Sequence, residues 1–230
     1  MVQCNSGRAV KLVFILGCLG LISACEAGFF QTERPETPEL VKQTQKEQGY
    51  WSAALEAQRE LLITAGMKPV AESNAELYKA AIAREIMILV DETAEVEEGE
   101  NLVLLRLSAE HAFGVGSAEL SDQAAKQLEG CARVFTNYDL SLLEISGHTD
   151  NTGSEQINRQ LSEHRARSVA ELLQASGLDP MRMVVEGRSD TQPLEDNASP
   201  EGRRINRRVE IRVIPLLAGQ GLTSAVNGRE

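Results

Sequence analysis

Asp150 and Arg165 are the residues of this 230-residue chain whose types and setting best suit joint chemistry. Asp150 sits in the run Gly147-His148-Thr149-Asp150-Asn151-Thr152-Gly153, which reads as a β-strand ending in a tight turn that feeds a helix. That helix displays Asn158 and Arg165, whose spacing is close to two helical turns, so the two side chains share a face. A carboxylate and a guanidinium held on separate rigid elements suit a zwitterionic ligand: the acid takes an ammonium and the base a carboxylate. Each residue also has a structural reading. Asp150 suits a turn or a helix cap, and Arg165 suits a pair with Glu163 or a stem lying along the core.

Reaction chemistry finds less support. Ser146, His148 and Asp150 share a strand face at period two, yet no nucleophile elbow or oxyanion site accompanies them. The histidines His111, His148 and His164 lack the spacing and acidic partners of a zinc site. Gly114-Val115-Gly116 lacks the third glycine and the acid of a dinucleotide site. The expectation is a binding protein with no catalytic residue, no metal and no cofactor.

The elements that must position the pair follow from periodicity. Leu102 to Leu107 is an apolar run of strand length. Ser117 or Ser121 can cap a helix carrying Leu120, Ala124, Leu128, Cys131 and Phe135. Leu140 to Ile145 is a second strand. Ser154 opens the helix of Asn158 and Arg165, with Ile157, Leu161, Val169, Leu172 and Leu173 on one side and Gly177 closing it. Met181 to Val185 is a third strand, and Val209, Ile211 and Val213 alternate in a fourth. The order β-α-β-α-β-β predicts an α+β fold with both helices on one face of a four-stranded mixed sheet.

Ahead of this region, Glu95 to Asn101 reads as an acidic linker. Residues 37–94 hold two helical stretches, marked by Trp51, Leu55 and Leu62 and then by Ile82, Ile86, Leu89 and Val90, with Ser73 or Asn74 as a cap for the second. Gly66-Met67-Lys68-Pro69 separates them, which predicts an antiparallel helical hairpin. Its apolar stripe could pack within the hairpin, on the following domain or on another protomer. Residues 25–36 read as a tether and 216–230 as a flexible tail.

Residues 1–24 have the build of an export signal: Arg8 and Lys11, an apolar run from Leu12 to Ile22, then Ser23-Ala24. The order Ile22-Ser23-Ala24-Cys25 resembles a bacterial lipoprotein signal. That resemblance implies that Cys25 becomes the acylated mature N-terminus. Glu26 stands where a sorting aspartate would retain the protein at the inner membrane, so the outer membrane is favoured. With the signal and Cys25 set aside, Cys131 is the one remaining thiol, and its apolar helical neighbours Leu128 and Phe135 mark it as a small core residue. The chain carries a formal charge of −11, and the part after the signal sets 21 bases against 34 acids. Such acidity argues against nucleic acid as a partner, despite the basic run Arg203, Arg204, Arg207, Arg208.

Residues 101–215 resemble the OmpA-like peptidoglycan-binding domain. The matching pieces are Phe113-x-x-x-Ser117-x-x-Leu120, Gly147-His-Thr-Asp150-x-x-Gly153, Asn158-x-x-Leu161-Ser162-x-x-Arg165-Ala166, Gly187, Pro193, Asn197, Gly202-Arg203 and Asn206-Arg207-Arg208-Val209-Glu210. Ser189 departs from the glycine of many members. The resemblance implies that Asp150 accepts the ammonium of diaminopimelate in stem peptides, that Arg165 pairs with its carboxylate, and that Asn158 and Arg207 add contacts. It implies a lipid-anchored, periplasm-facing tether between outer membrane and wall. The alternative is an envelope assembly protein whose N-terminal helices bind a partner while the OmpA-like domain localises it to the wall.

Overall fold

The computed structural model describes residues 53–218; Cys25, Trp51 and the expected signal and tether lie outside the described residues. A helix over residues 53–64 (α1) is followed by a single 3-10 turn and α2, Ala75–Leu89. Then come β1 (Ala94–Glu98), β2 (Val103–Ser108), the short α3 (Ala109–Ala112), α4 (Asp122–Asn137) and β3 (Ser141–His148). The chain ends in α5 (Glu155–Ala175), β4 (Met183–Gly187), α6 (Pro200–Asn206) and β5 (Arg208–Pro215). Ser121, Ser154 and Ser199 each accept an N–H in the first turn of α4, α5 and α6, which is why those helices start where they do.

The sheet has five strands, not the four expected, in the order β1-β2-β5-β3-β4. Only β3 and β4 run parallel, joined through α5; the other neighbours are antiparallel. The added strand is β1, which occupies part of the stretch expected to be a linker. Its Ala94 and Val96 are half-buried while Glu95, Glu97 and Glu98 face water, and Arg106 of β2 pairs with Glu95 and Glu97. Outward glutamates on an edge strand also discourage pairing with other chains.

One face of the sheet carries the main core. Leu105 and Leu107 of β2, Leu143 and Ile145 of β3, and Val209, Ile211 and Val213 of β5 pack against α2, α4 and α5. Phe135 and Leu128 of α4 and Leu173 of α5 are fully buried there, each worth about 1.5–3 kcal/mol of burial. Cys131 lies among them with its thiol pushed up to about 12 by burial, so it is a packing residue as expected. Ile157, expected on the packed side of α5, is exposed; the buried face runs through Asn158, Ser162, Arg165, Ala166 and Val169 instead.

The expected helical hairpin does not form as such. Ile82, Ala83 and Ile86 of α2 join the main core, whereas Leu55 and Leu62 of α1 pack with Leu142, Ile214 and Leu216. Leu142 and Ile214 point to the side of the sheet opposite their neighbours Leu143 and Val213, so α1 and α2 grip the sheet from its two faces. The connection between them is tied down where Val70 pairs with Leu217. This draws the start of the expected tail into the fold.

On the α1 side, the strands that carry the site are joined by buried ion pairs. Arg212 bridges Glu144 at 3.2 Å and Glu210 at 2.9 Å, Arg208 reaches Glu210 at 2.7 Å, and Arg188 binds both Glu186 and Glu144. Removing one partner of such a pair costs about 3–5 kcal/mol, because a charge is left buried alone.

Two glycines set the height of α5 above the strands. A Cβ on Gly147 would overlap the Ser162 carbonyl, and one on Gly187 would stand 2.5 Å from the Glu163 nitrogen. Ser189, just past β4, has φ +50°, yet its N–H donates to Ser162 Oγ and its carbonyl accepts the Thr149 N–H. A left-handed conformation costs a non-glycine residue about 1 kcal/mol. Ser189→Gly is therefore expected to raise stability by roughly that amount, and Gly147→Ala to lower it by about 3 kcal/mol or more through overpacking. Urea unfolding monitored by circular dichroism checks both signs.

Candidate functional site

The turn after β3 is built so that Asp150 is fixed and turned inward. Its Oδ1 accepts the Thr152 backbone N–H at 2.8 Å and also the Thr152 hydroxyl, an arrangement that closes an Asx turn. Gly153 then takes φ +91°, and Ser154 starts α5. The Thr149 N–H to Ser189 carbonyl bond, 2.9 Å, ties the turn to the loop after β4. Asn158, buried on the first turns of α5, donates from Nδ2 to the Asp150 backbone carbonyl at 3.1 Å. Its amide thus also positions the turn.

Arg165 lies two turns further along α5 and is 4% exposed. Its Nε donates to the Ser117 carbonyl at 2.9 Å, and its guanidinium sits 5.2 Å from the Phe113 ring centre, within cation–π range. Its Nη1 is buried and has no hydrogen-bond partner among the described residues. A buried donor without an acceptor costs roughly 1–3 kcal/mol, more when charged, so an acceptor at Nη1 would be stabilising. Burial and the nearby positive charge of Arg207 both lower the Arg165 pKa, and Asp150 opposes them. The alternative structural role of Arg165, a pair with Glu163, is not taken up: Glu163 reaches Arg167 instead.

Arg207, between α6 and β5, closes the group by donating from Nη1 to Asp150 Oδ2 at 2.7 Å. Its backbone is held because the preceding Asn206 is fully buried and accepts from Leu194 N and Glu195 N while donating to the Glu195 carbonyl and Asn197 Oδ1. Burial works against ionising Asp150, yet the hydrogen bonds from Thr152 and Arg207 prevail and hold its carboxyl below the usual range. Three of the expected residues, Asp150, Arg165 and Arg207, therefore meet as one charged cluster, with Asn158 bracing it.

Several contributors were not singled out as site residues from sequence: Phe113 under the guanidinium, Ser117 and Thr152 as hydrogen-bond partners, and Ser189 as a support. The signal for the first two was present in the spacing Phe113-x-x-x-Ser117. The other arginines of the basic run are engaged within the fold. Arg203 donates to the Asn197 and Ala198 carbonyls, Arg204 pairs with Glu201, and Arg208 with Glu210. Ser146 and His148, considered for a catalytic triad, lie 3.2 Å apart but are sealed inside, while the Asp150 carboxylate serves Thr152 and Arg207. Among the described residues no group of three or more His, Cys, Asp or Glu could hold a metal ion, and no helix is long and apolar enough to cross a membrane.

The chain is 36% identical to the probable lipoprotein YiaD of Escherichia coli over 118 residues, 51% of this chain and 53% of that protein. It is 43% identical to the peptidoglycan-binding protein ArfA of Mycobacterium tuberculosis over 95 residues, 40% of this chain and 26% of that one. It thus spans about half the length of YiaD and a smaller part of ArfA. A structure described as the cell wall anchor of the T6SS from Pseudomonas aeruginosa matches with a TM-score of 0.51 at 32% identity, covering 60% of this chain and 96% of that one. The OmpA family model matches residues 112–207, from the last residue of α3 to Arg207, so this stretch is an OmpA family domain.

Proposed function

We propose that this chain is a non-enzymatic, peptidoglycan-binding lipoprotein that tethers the outer membrane to the wall by gripping the diaminopimelate of stem peptides. The observation that carries the reading is the buried Arg165 Nη1, which lies near the acid Asp150 and has no acceptor among the described residues. Diaminopimelate offers at one end what this cluster complements: a carboxylate for Arg165 and an ammonium for the Asp150 side. The names of ArfA and of the cell wall anchor, both similar to this chain, support a wall ligand. That of the probable lipoprotein YiaD supports an envelope address. Acylation at Cys25 would supply the membrane end, with several acyl chains giving firm attachment at about 0.8 kcal/mol per buried methylene. Moderate affinity at each site suffices, since many tethered copies bind one sacculus with avidity.

A second reading keeps the wall domain as a localiser and gives the N-terminal helices an envelope protein as partner. It is favoured by Leu77 and Ile88 of α2, each 75% exposed on the side away from the core.

Retention on purified sacculi tests the first reading. Asp150→Asn/Arg165→Lys, which preserves side-chain size, is expected to weaken retention at least about tenfold, the loss of one charge-assisted bond or more. Equal retention would overturn the site. Wild-type retention should stay level from neutral pH down to the ordinary aspartate value of 3.8. It should fall only as pH drops through the lowered Asp150 pKa, because a depressed carboxyl keeps its charge above that point and loses it below. Mass spectrometry of the mature protein should find an acylated N-terminus at Cys25; an unmodified or different N-terminus would contradict the anchor. For the second reading, Leu77→Asp/Ile88→Asp should remove a co-purifying envelope protein while leaving sacculus retention unchanged, and co-purification unaffected by the change would end that case.

A further inference from the structure

The three charged groups of the site are unequally satisfied. Asp150 is fully engaged: Oδ1 serves Thr152 and Oδ2 accepts from Arg207. Its side chain is 7% exposed, so an incoming ammonium finds little open carboxylate. Arg165 is the reverse case, with a buried donor that no described residue meets. Arg207 stands between them. Its side chain is 35% exposed, and Asp150 is the only partner of its guanidinium among the described residues. Arg208, next in the chain, is held at once by Glu210 and by the Asn206 and Gln192 carbonyls. The backbone on either side of Arg207 is anchored, by the buried Asn206 and by the pairing of β5 with β2 and β3. Only the side chain is free to swing.

Two guanidiniums and one carboxylate also give the cluster a net charge of about plus one, which repels a ligand that offers only an ammonium. From this arrangement we infer that Arg207 is an exchangeable counter-ion: it occupies Asp150 until a ligand ammonium takes its place, then turns to the ligand's carboxylate. The exchange conserves ion pairs only when one ligand carries both groups. A ligand with an ammonium alone would displace Arg207 and leave it unpaired beside Arg165. The site therefore requires a free carboxylate next to the amine, and refuses a simple alkylamine or a peptide side chain that ends in an amine. This inference rests on the wall-ligand reading and adds to it the rule by which the site chooses.

Isothermal titration of the full-length chain with meso-diaminopimelate and with 1,5-diaminopentane tests it. The wild type should bind the amino acid and refuse the diamine. Arg207→Gln, which removes the competing cation, should tighten diamine binding about tenfold or more and weaken diaminopimelate by a similar factor. Arg207→Lys, which keeps a mobile cation, should still refuse the diamine. If Arg207→Gln weakens diaminopimelate but leaves the diamine refused, Arg207 is an ordinary ligand contact and the exchange is wrong. If neither affinity changes, it is wrong as well. Wild-type protein that binds neither diaminopimelate nor a muropeptide containing it would instead overturn the wall-ligand reading, and the inference with it.

Discussion

The contact on which the site depends is backbone against backbone: α5 rests on the ends of β3 and β4 at Gly147 and Gly187, where no side chain fits. This closeness fixes the register between the helix and the turn that leaves β3. Asn158 then meets the Asp150 carbonyl, Ser162 meets the Ser189 N–H, and Arg165 comes to lie between Phe113 and Ser117. A helix set higher by the width of one methyl group would break each of these bonds together. The geometry of charge in the site follows from an absence of bulk beneath it.

The sheet supplies stiffness from its other side. Arg188, Arg208 and Arg212 interleave with Glu144, Glu186 and Glu210 across β3, β4 and β5, and the ends of β3 and β5 bear Asp150 and Arg207. Apolar residues of similar volume could match such a ladder for stability, but it is directional, and a shifted register would leave charges buried without partners. With α1 covering one face and α2, α4 and α5 the other, the sheet is held between two clusters. The charged cluster at its end can then be rigid in Asp150 and Arg165 while Arg207 keeps a partly exposed side chain.

Much of this was legible in the residues. Val209, Ile211 and Val213 alternate because one face of β5 meets the main core, and the helical spacing of Leu128, Cys131 and Phe135 reports a face that is buried. Asp150 and Arg165 come together because one tight turn and the first three or so turns of α5 leave few other arrangements. What the pattern could not convey was the partner of each surface. The stripe of Leu55 and Leu62 says that α1 is buried on one side, and says nothing of the sheet face it covers. In β1 the glutamates outnumber the apolar residues, so a strand resembled a linker until Arg106 and the half-buried Val96 supplied its context. Arg208, Glu210 and Arg212 sit at positions that alternation alone assigns to water, and only their mutual pairing lets them be buried. The Asp150–Arg207 pair joins residues 57 apart, beyond the reach of any local rule.

In the proposed function Arg165 is a buried cation that receives a carboxylate from the wall. A structure of the full-length chain bound to a diaminopimelate-containing muropeptide tests that most directly. The account predicts a ligand carboxylate oxygen at hydrogen-bonding distance, about 2.7–3.2 Å, from Arg165 Nη1, with the ligand ammonium at Asp150. A muropeptide seated elsewhere on the molecule, with Arg165 Nη1 still unpaired and Asp150 untouched, would contradict it.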